Sequence, residues 1–151
     1  MTIYSKEISL IDTNVLVYAA DKTSEFHLSA KNIRDLGIRG KENLCICPQI
    51  LEEFFAVITD SRRVKNPRDP KEVIEELEKY IKSQNIVKIY PKEDTLIRTI
   101  DFLKKYNIKK QEIFDARLVA TMLSNGVSRI YTFNKEDFIK YKEIKVITPP
   151  L

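Results

Sequence analysis

Histidine is nearly missing from this sequence, His27 standing alone among 151 residues, and cysteine occurs only as Cys45 and Cys47. A single histidine argues against a histidine-based catalytic triad, and with two cysteines it falls short of the four ligands of a structural zinc site. His27 lies in "SEFHLSAKNIRDLGI", an amphipathic helical pattern, and reads as a surface or boundary residue. The cysteines sit one residue apart in the strand-like "LCICP", so their side chains share a face. They read as small buried residues of a reducing compartment. Glycine is also scarce, at three residues, and with 43% hydrophobic and 32% charged residues the composition carries neither a disordered nor a fibrous bias. Long apolar runs are lacking: stretches such as "VLVYAA" fall well short of the roughly 20 residues that cross a bilayer. No basic region followed by a long apolar segment and a small-residue cleavage signature opens the chain. The expectation is a soluble, cytoplasmic protein with no membrane partner.

A chain of this length buries roughly two-thirds of the surface its unfolded form exposes, enough for one core, and a single domain over 1–151 is expected. The formal charge of +4 and pI near 9.0 are compatible with a nucleic-acid partner without requiring one. Strand and helix patterns alternate along the chain. "EISLI" reads as a strand running into a helix from about Thr13, and "SEFHLSAKNIRDLGI" reads as a second helix. "NLCIC" reads as a strand, followed by the helix "PQILEEFFAVITDSRR" with Pro48 in its first turn. The prolines of "VKNPRDP" mark a loop. A helix "PKEVIEELEKYIKS", a strand "NIVKIY", and the helices "KEDTLIRTIDFLKKY" and "QEIFDARLVATMLSN" follow, the last closed by Gly126. Strands "SRIYTF" and "IKVIT" complete the pattern. Crossovers too long for hairpins imply an α/β fold, a mostly parallel central sheet flanked by helices on both faces. Ligands of such sheets bind beyond the carboxyl ends of the strands.

Four acidic places answer to that rule. Asp12 follows the first strand, where helix N-capping is its competing role. On the helix "IFDARLVATMLS", plotted at 100° per residue, Arg117, Thr121 and Ser124 share a narrow sector and Asp115 falls opposite, beside Leu118, Val119 and Met122. That aims a carboxylate toward protein, and a buried charge must be paired, metal-bound or protonated. Glu52 and Glu53 border opposite sides of their helix, and periodicity does not choose between them. In "TFNKEDF", Asn134 or Asp137 reaches the same strand-end region, with an Asx turn or cap as the competing role. Clustered acids repel unless cations intervene. Oxygen ligands select Mg²⁺ or Mn²⁺, and a pair of such ions about 3.5 to 4 Å apart supports in-line phosphoryl displacement. The chemistry this points to is phosphodiester hydrolysis.

The segments "LIDTNVLVYAA", "CPQILEEFFAVIT", "IFDARLVATML" and "IYTFNKEDF", in this order over nearly the whole chain, resemble the four signature regions of PIN-domain ribonucleases, and among them the VapC-type toxins of toxin–antitoxin pairs. The resemblance implies a PIN-like three-layer sandwich. It matches Asp12, Glu53 and Asp115 to the family's first three catalytic, metal-binding acids, and so selects Glu53 over Glu52. At the fourth place many members carry Asp after the strand-ending Thr, whereas this chain has Asn134, with Asp137 three residues on; Glu112, one turn before Asp115, is a possible substitute. Thr13, Asn14 and Thr132 are expected to orient the acids. The activity implied is Mg²⁺- or Mn²⁺-dependent endonucleolytic cleavage of RNA leaving a 5′-phosphate, by a homodimer silenced by a cognate antitoxin protein.

An acidic site that receives a polyanion needs basic residues on its rim. "SRRVKNPR", with Arg62, Arg63, Lys65 and Arg68, is the densest candidate, ahead of "KKYNIKK" from Lys104 to Lys110; the competing role of each is a solvated loop or helix end. Two rival functions bear on the same residues. A magnesium-dependent phosphatase of the haloacid-dehalogenase type also places Asp after the first strand, but usually with a second Asp where this chain has Asn14. A noncatalytic PIN scaffold that binds RNA or protein is compatible with Asn134.

Overall fold

The short runs Ser9–Ile11 and Leu44–Ile46 form strands β1 and β2, and every residue of both is buried. Burial on both faces is what a central parallel strand requires, since helices cover each side. The computed structural model describes residues 7–151; the opening stretch read above as lacking a leader segment lies in part outside the described residues, at positions 1–6. Helices α1 (Thr13–Ala20) and α2 (His27–Ile38) connect β1 to β2. Helices α3 (Pro48–Ile58) and α4 (Pro70–Lys82) lead to β3 (Val87–Lys88). Helices α5 (Thr95–Lys105) and α6 (Glu112–Ser124) lead to β4 (Arg129–Tyr131), and a single 3₁₀ turn at Lys135–Asp137 precedes β5 (Lys145–Ile147).

The sheet order is β3-β2-β1-β4-β5, and all the described pairings are parallel. The chain first moves outward from β1 through β2 to β3, then returns to the other side of β1 as β4. Right-handed crossovers therefore put α1 to α4 on one face and α5 and α6 on the other. Helix α1 packs on α2 and α3, and α5 packs on α6. This is the PIN-like α/β sandwich expected. The reversal of direction lies between β1 and β4, the position at which open α/β sheets build their sites. The edge strands β3 and β5 are only partly buried.

Several boundaries differ from the sequence reading, among them the starts of α2 at His27 rather than Ser24 and of α5 at Thr95 rather than Lys92. Helix α3 ends at Ile58, not Arg63, because Asp60 captures the backbone: its carboxylate accepts from Arg62 N at 2.8 Å, and its carbonyl accepts from Arg63 N. The strands are shorter than their apolar runs, and β1 stops at Ile11 because Asp12 has already become the cap of α1. Gly126 closes α6 as expected, at φ +72°, with Val127 N donating to Met122 O. Gly37 has a different reason to be glycine: a Cβ there would collide with the buried Leu44 side chain of β2.

Candidate active site

Asp12 is positioned from both directions along the backbone. Its N–H donates to Tyr131 O at 2.9 Å, extending the β1–β4 pairing, while its side chain accepts from Thr13 N at 2.8 Å as the N-cap of α1. The other carboxylate oxygen accepts from Thr132 Oγ1 at 2.7 Å and from Asn14 Nδ2 at 3.0 Å. Thr132, wholly buried just past β4, also accepts from Asn14 Nδ2 and from Asn134 N. Asn14 Oδ1 in turn accepts from Phe133 N at 3.1 Å. Capping and orientation of Asp12 are thus one network, and Thr13, Asn14 and Thr132 hold it together.

Glu53, not Glu52, reaches this network: its Oε2 accepts from Thr13 Oγ1 at 2.9 Å and its Oε1 from Gln49 Nε2 at 3.1 Å, whereas Glu52 is exposed. Gln49 also donates to Phe114 O at 3.0 Å and accepts from Arg117 Nε at 3.1 Å, tying α3 to the first turn of α6. Gln49 carried no sequence signal beyond its place one turn before Glu53. Asp115 projects from that first turn, partly buried, while Thr121, grouped with the polar sector on the helical plot, is buried and donates to Arg117 O. Glu112 is exposed and paired with Lys140 at 2.9 Å.

Asp12, Thr13, Asn14, Glu53, Asp115, Asn134 and Asp137 line one cleft of about 520 Å³ at the carboxyl ends of β1 and β4. Burial pushes the Asp12 carboxyl up to about 6, against the hydrogen bonds from Thr132 and Thr13 and with the help of Glu53 and Asp137. Burial likewise pushes Asp115 up to about 7, reinforced by the charges of Asp137, Asp12 and Glu53. The cluster is therefore short of positive charge. Among the described residues no group of three or more His, Cys, Asp or Glu side chains stands ready-made for a metal ion. Mg²⁺, however, is usually bound through one or two carboxylates and keeps several waters, and the donors here are all hard oxygens in a cleft whose acids repel one another. In kind, they fit a divalent cation.

Of the basic loop residues, Arg63 alone lines the cleft, and its side chain makes no ion pair or hydrogen bond among the described residues. Arg62 is turned onto Asp60, Arg68 bridges Glu72 and Glu76, and Lys65 is exposed outside the cleft lining. From the second basic stretch, Lys105 pairs with Glu143. Cys45 and Cys47 are buried free thiols behind the site, and His27 sits at the surface boundary with Nδ1 2.9 Å from Tyr18 O.

Comparison with solved structures finds the same fold. The chain is similar to VapC20 of Mycobacterium tuberculosis, a toxin that cleaves the sarcin–ricin loop, at 14% identity and a TM-score of 0.64, covering 87% of this chain and 92% of that one. It is similar to VapBC2 from Rickettsia felis, bound to a DNA fragment from its promoter, at 15% identity and a TM-score of 0.64, over 95% and 99% of the two chains. A toxin–antitoxin complex from Klebsiella pneumoniae shares 18% identity at a TM-score of 0.61, over 94% and 98%. No curated protein sequence matches. The model of the PIN domain matches residues 9–144, a span that contains strands β1 to β4 and all the segments that line the acidic cleft, and the chain belongs to the PIN domain family.

Proposed function

We propose that this protein is a metal-dependent endoribonuclease, a single PIN domain in which Asp12, Glu53 and Asp115 are the catalytic acids. The observation that carries the proposal is the convergence of carboxylates from three distant segments on one cleft, with Asp12 and Asp115 held out of their ordinary range by burial and by each other. Asp12, Glu53 and Asp115 would hold the Mg²⁺ or Mn²⁺. When bound, such an ion supplies activated water and neutralises charge developing on a phosphoryl group. The chain's own part is positioning. Thr132, Asn14 and Thr13 N fix the Asp12 oxygens, Thr13 Oγ1 and Gln49 fix those of Glu53, and Asp137 adds charge at the mouth of the cleft where Asn134 has none. Arg63, aided by Arg62, Lys65 and Arg68 on the same loop, attracts the polyanion.

The likeness in fold to toxins and toxin–antitoxin complexes supports a toxin role, with a cognate antitoxin covering the acidic cleft. The exposed side chains Leu96, Ile97, Ile100, Ile113 and Phe114 of α5 and α6 support a homodimer. No helix among the described residues is long and apolar enough to cross a membrane, which accords with a cytoplasmic location. Incubation of the purified protein with structured RNAs tests the activity: cleavage is expected with Mg²⁺ or Mn²⁺ and not with chelator. Asp12→Asn and Asp115→Asn should each reduce it at least a hundredfold. Cleavage undiminished in both variants would reject these acids as the site.

A further inference from the structure

The cleft that holds the acids does not end with them. Its remaining lining is mostly of another character: Val17 and Tyr18 from α1, Ala56 and Val57 from α3, and Val64 and Arg63 from the loop that follows, with Asp21 at the end of α1, whose carboxylate accepts from Thr23 N and Oγ1. Val17 and Val64 are nearly buried, so this half is a firm aliphatic wall. Tyr18 is braced from behind by two aromatic neighbours, with ring centroids 5.3 Å from both Phe26 and Phe133, which stack on each other at 4.8 Å. Phe133 belongs to the segment whose N–H is held by Asn14, so the aromatic brace and the acidic network share one anchor. At the rim stands Arg63, the one guanidinium of its loop that makes no ion pair or hydrogen bond among the described residues, with Asp60 acting on it only at longer range.

We infer that this half of the cleft is a subsite for one unpaired nucleobase adjoining the scissile phosphate, with Tyr18, Val17, Ala56 and Val57 receiving the base and Arg63 the neighbouring phosphate. The assignment rests on the ribonuclease reading above and specifies which substrates that site accepts. Carboxylates alone cannot grip a polyanion; grip must come from elsewhere in the cleft, and an aromatic–aliphatic wall beside a free guanidinium is the pairing that single-stranded nucleic acids use. A base still paired in a duplex keeps its faces stacked and cannot enter a cleft of about 520 Å³ that must also admit the backbone. The subsite therefore reads the base itself and not only the phosphates, through the Tyr18 wall.

Binding of fluorescein-labelled eight-nucleotide RNAs to the full chain carrying Asp12→Asn, which removes cleavage, tests this directly. Three probes are used: oligo(A), the same octamer paired in a duplex, and an abasic octamer with the same phosphates. Oligo(A) should bind about tenfold or more tighter than either of the others. Adding Tyr18→Ala should bring oligo(A) down to the abasic level while leaving the abasic probe unchanged, and Tyr18→Phe should retain affinity. Ala56→Leu, at an exposed helical position that tolerates leucine, should reproduce the loss by filling the subsite. Arg63→Gln should weaken oligo(A) and abasic RNA alike and lower the salt slope by about one. Equal binding of oligo(A) and abasic RNA, or of single strand and duplex, overturns the subsite. Wild-type cleavage of structured RNA that survives such a result leaves the ribonuclease intact; absence of both binding and cleavage rejects both.

Discussion

At residue scale, the Asp12 carboxylate accepts three hydrogen bonds and is still pushed up to about 6. Between its unfolded value of 3.8 and about 6 the folded chain keeps a proton that the unfolded chain has released. Asp115 behaves likewise up to about 7. The folded state binds more protons in that window, so stability is greatest below it and falls as pH rises through it. Chelator-treated protein should accordingly melt at lower temperature at pH 8 than at pH 5, and Mn²⁺ should remove the difference. Asp12→Asn should flatten the profile and stabilise the metal-free protein at pH 8 by about 2 kcal/mol, while removing activity. A urea midpoint for Asp12→Asn no higher than that of the parent at pH 8 would contradict this reading. The sequence disclosed the acids unevenly. Asp12 and Asp115 could be singled out from strand-end position and helical face, but the choice of Glu53 over Glu52 needed the family resemblance, because it depends on Thr13 and Gln49, which reach Glu53 from another helix and from one turn away.

At the scale of elements, apolar periodicity located the six α-helices and five strands of the described residues, since each helix buries a face and the central strands lie buried on both, the edge strands β3 and β5 only in part. It failed at ends, where a single hydrogen bond decides. Asp60 stops α3 five residues early, and that also frees Ser61 to Arg68 to form the loop that carries Arg63 to the cleft. Pairings such as Arg68 with Glu72 and Glu76 were not legible either, because they join the loop to the next helix in space. Gly37 shows an element-level constraint that composition hides. Alanine is the better helix former by about 1 kcal/mol, yet its methyl group would press on Leu44 in the sheet, where overpacking costs about 1–3 kcal/mol. Gly37→Ala should destabilise by about 1 kcal/mol net in urea unfolding; a stabilised variant would mean that α2 sits farther from β2.

For the whole molecule, charge and apolar surface divide the labour. The acids gather at one end of the sheet, although the chain as a whole carries +4. The apolar strip of α5 and α6 faces solvent in the isolated chain, with Leu96, Ile97 and Ile100 on one helix and Ile113 and Phe114 on the other. Sedimentation equilibrium should find a dimer in the micromolar range, and Ile97→Glu should return it to monomers without lowering the melting temperature. A parent that stays monomeric at 100-fold higher concentration would remove the role given to this strip.

The hydrogen bond from Thr132 to Asp12 spans 120 positions of the chain. A ribosome must therefore have synthesised nearly the whole protein, and the last crossover must have docked β4 beside β1, before the first acid acquires its final orientation. Growing chains therefore carry the carboxylates but not the cleft, and the site comes into being only with the finished fold.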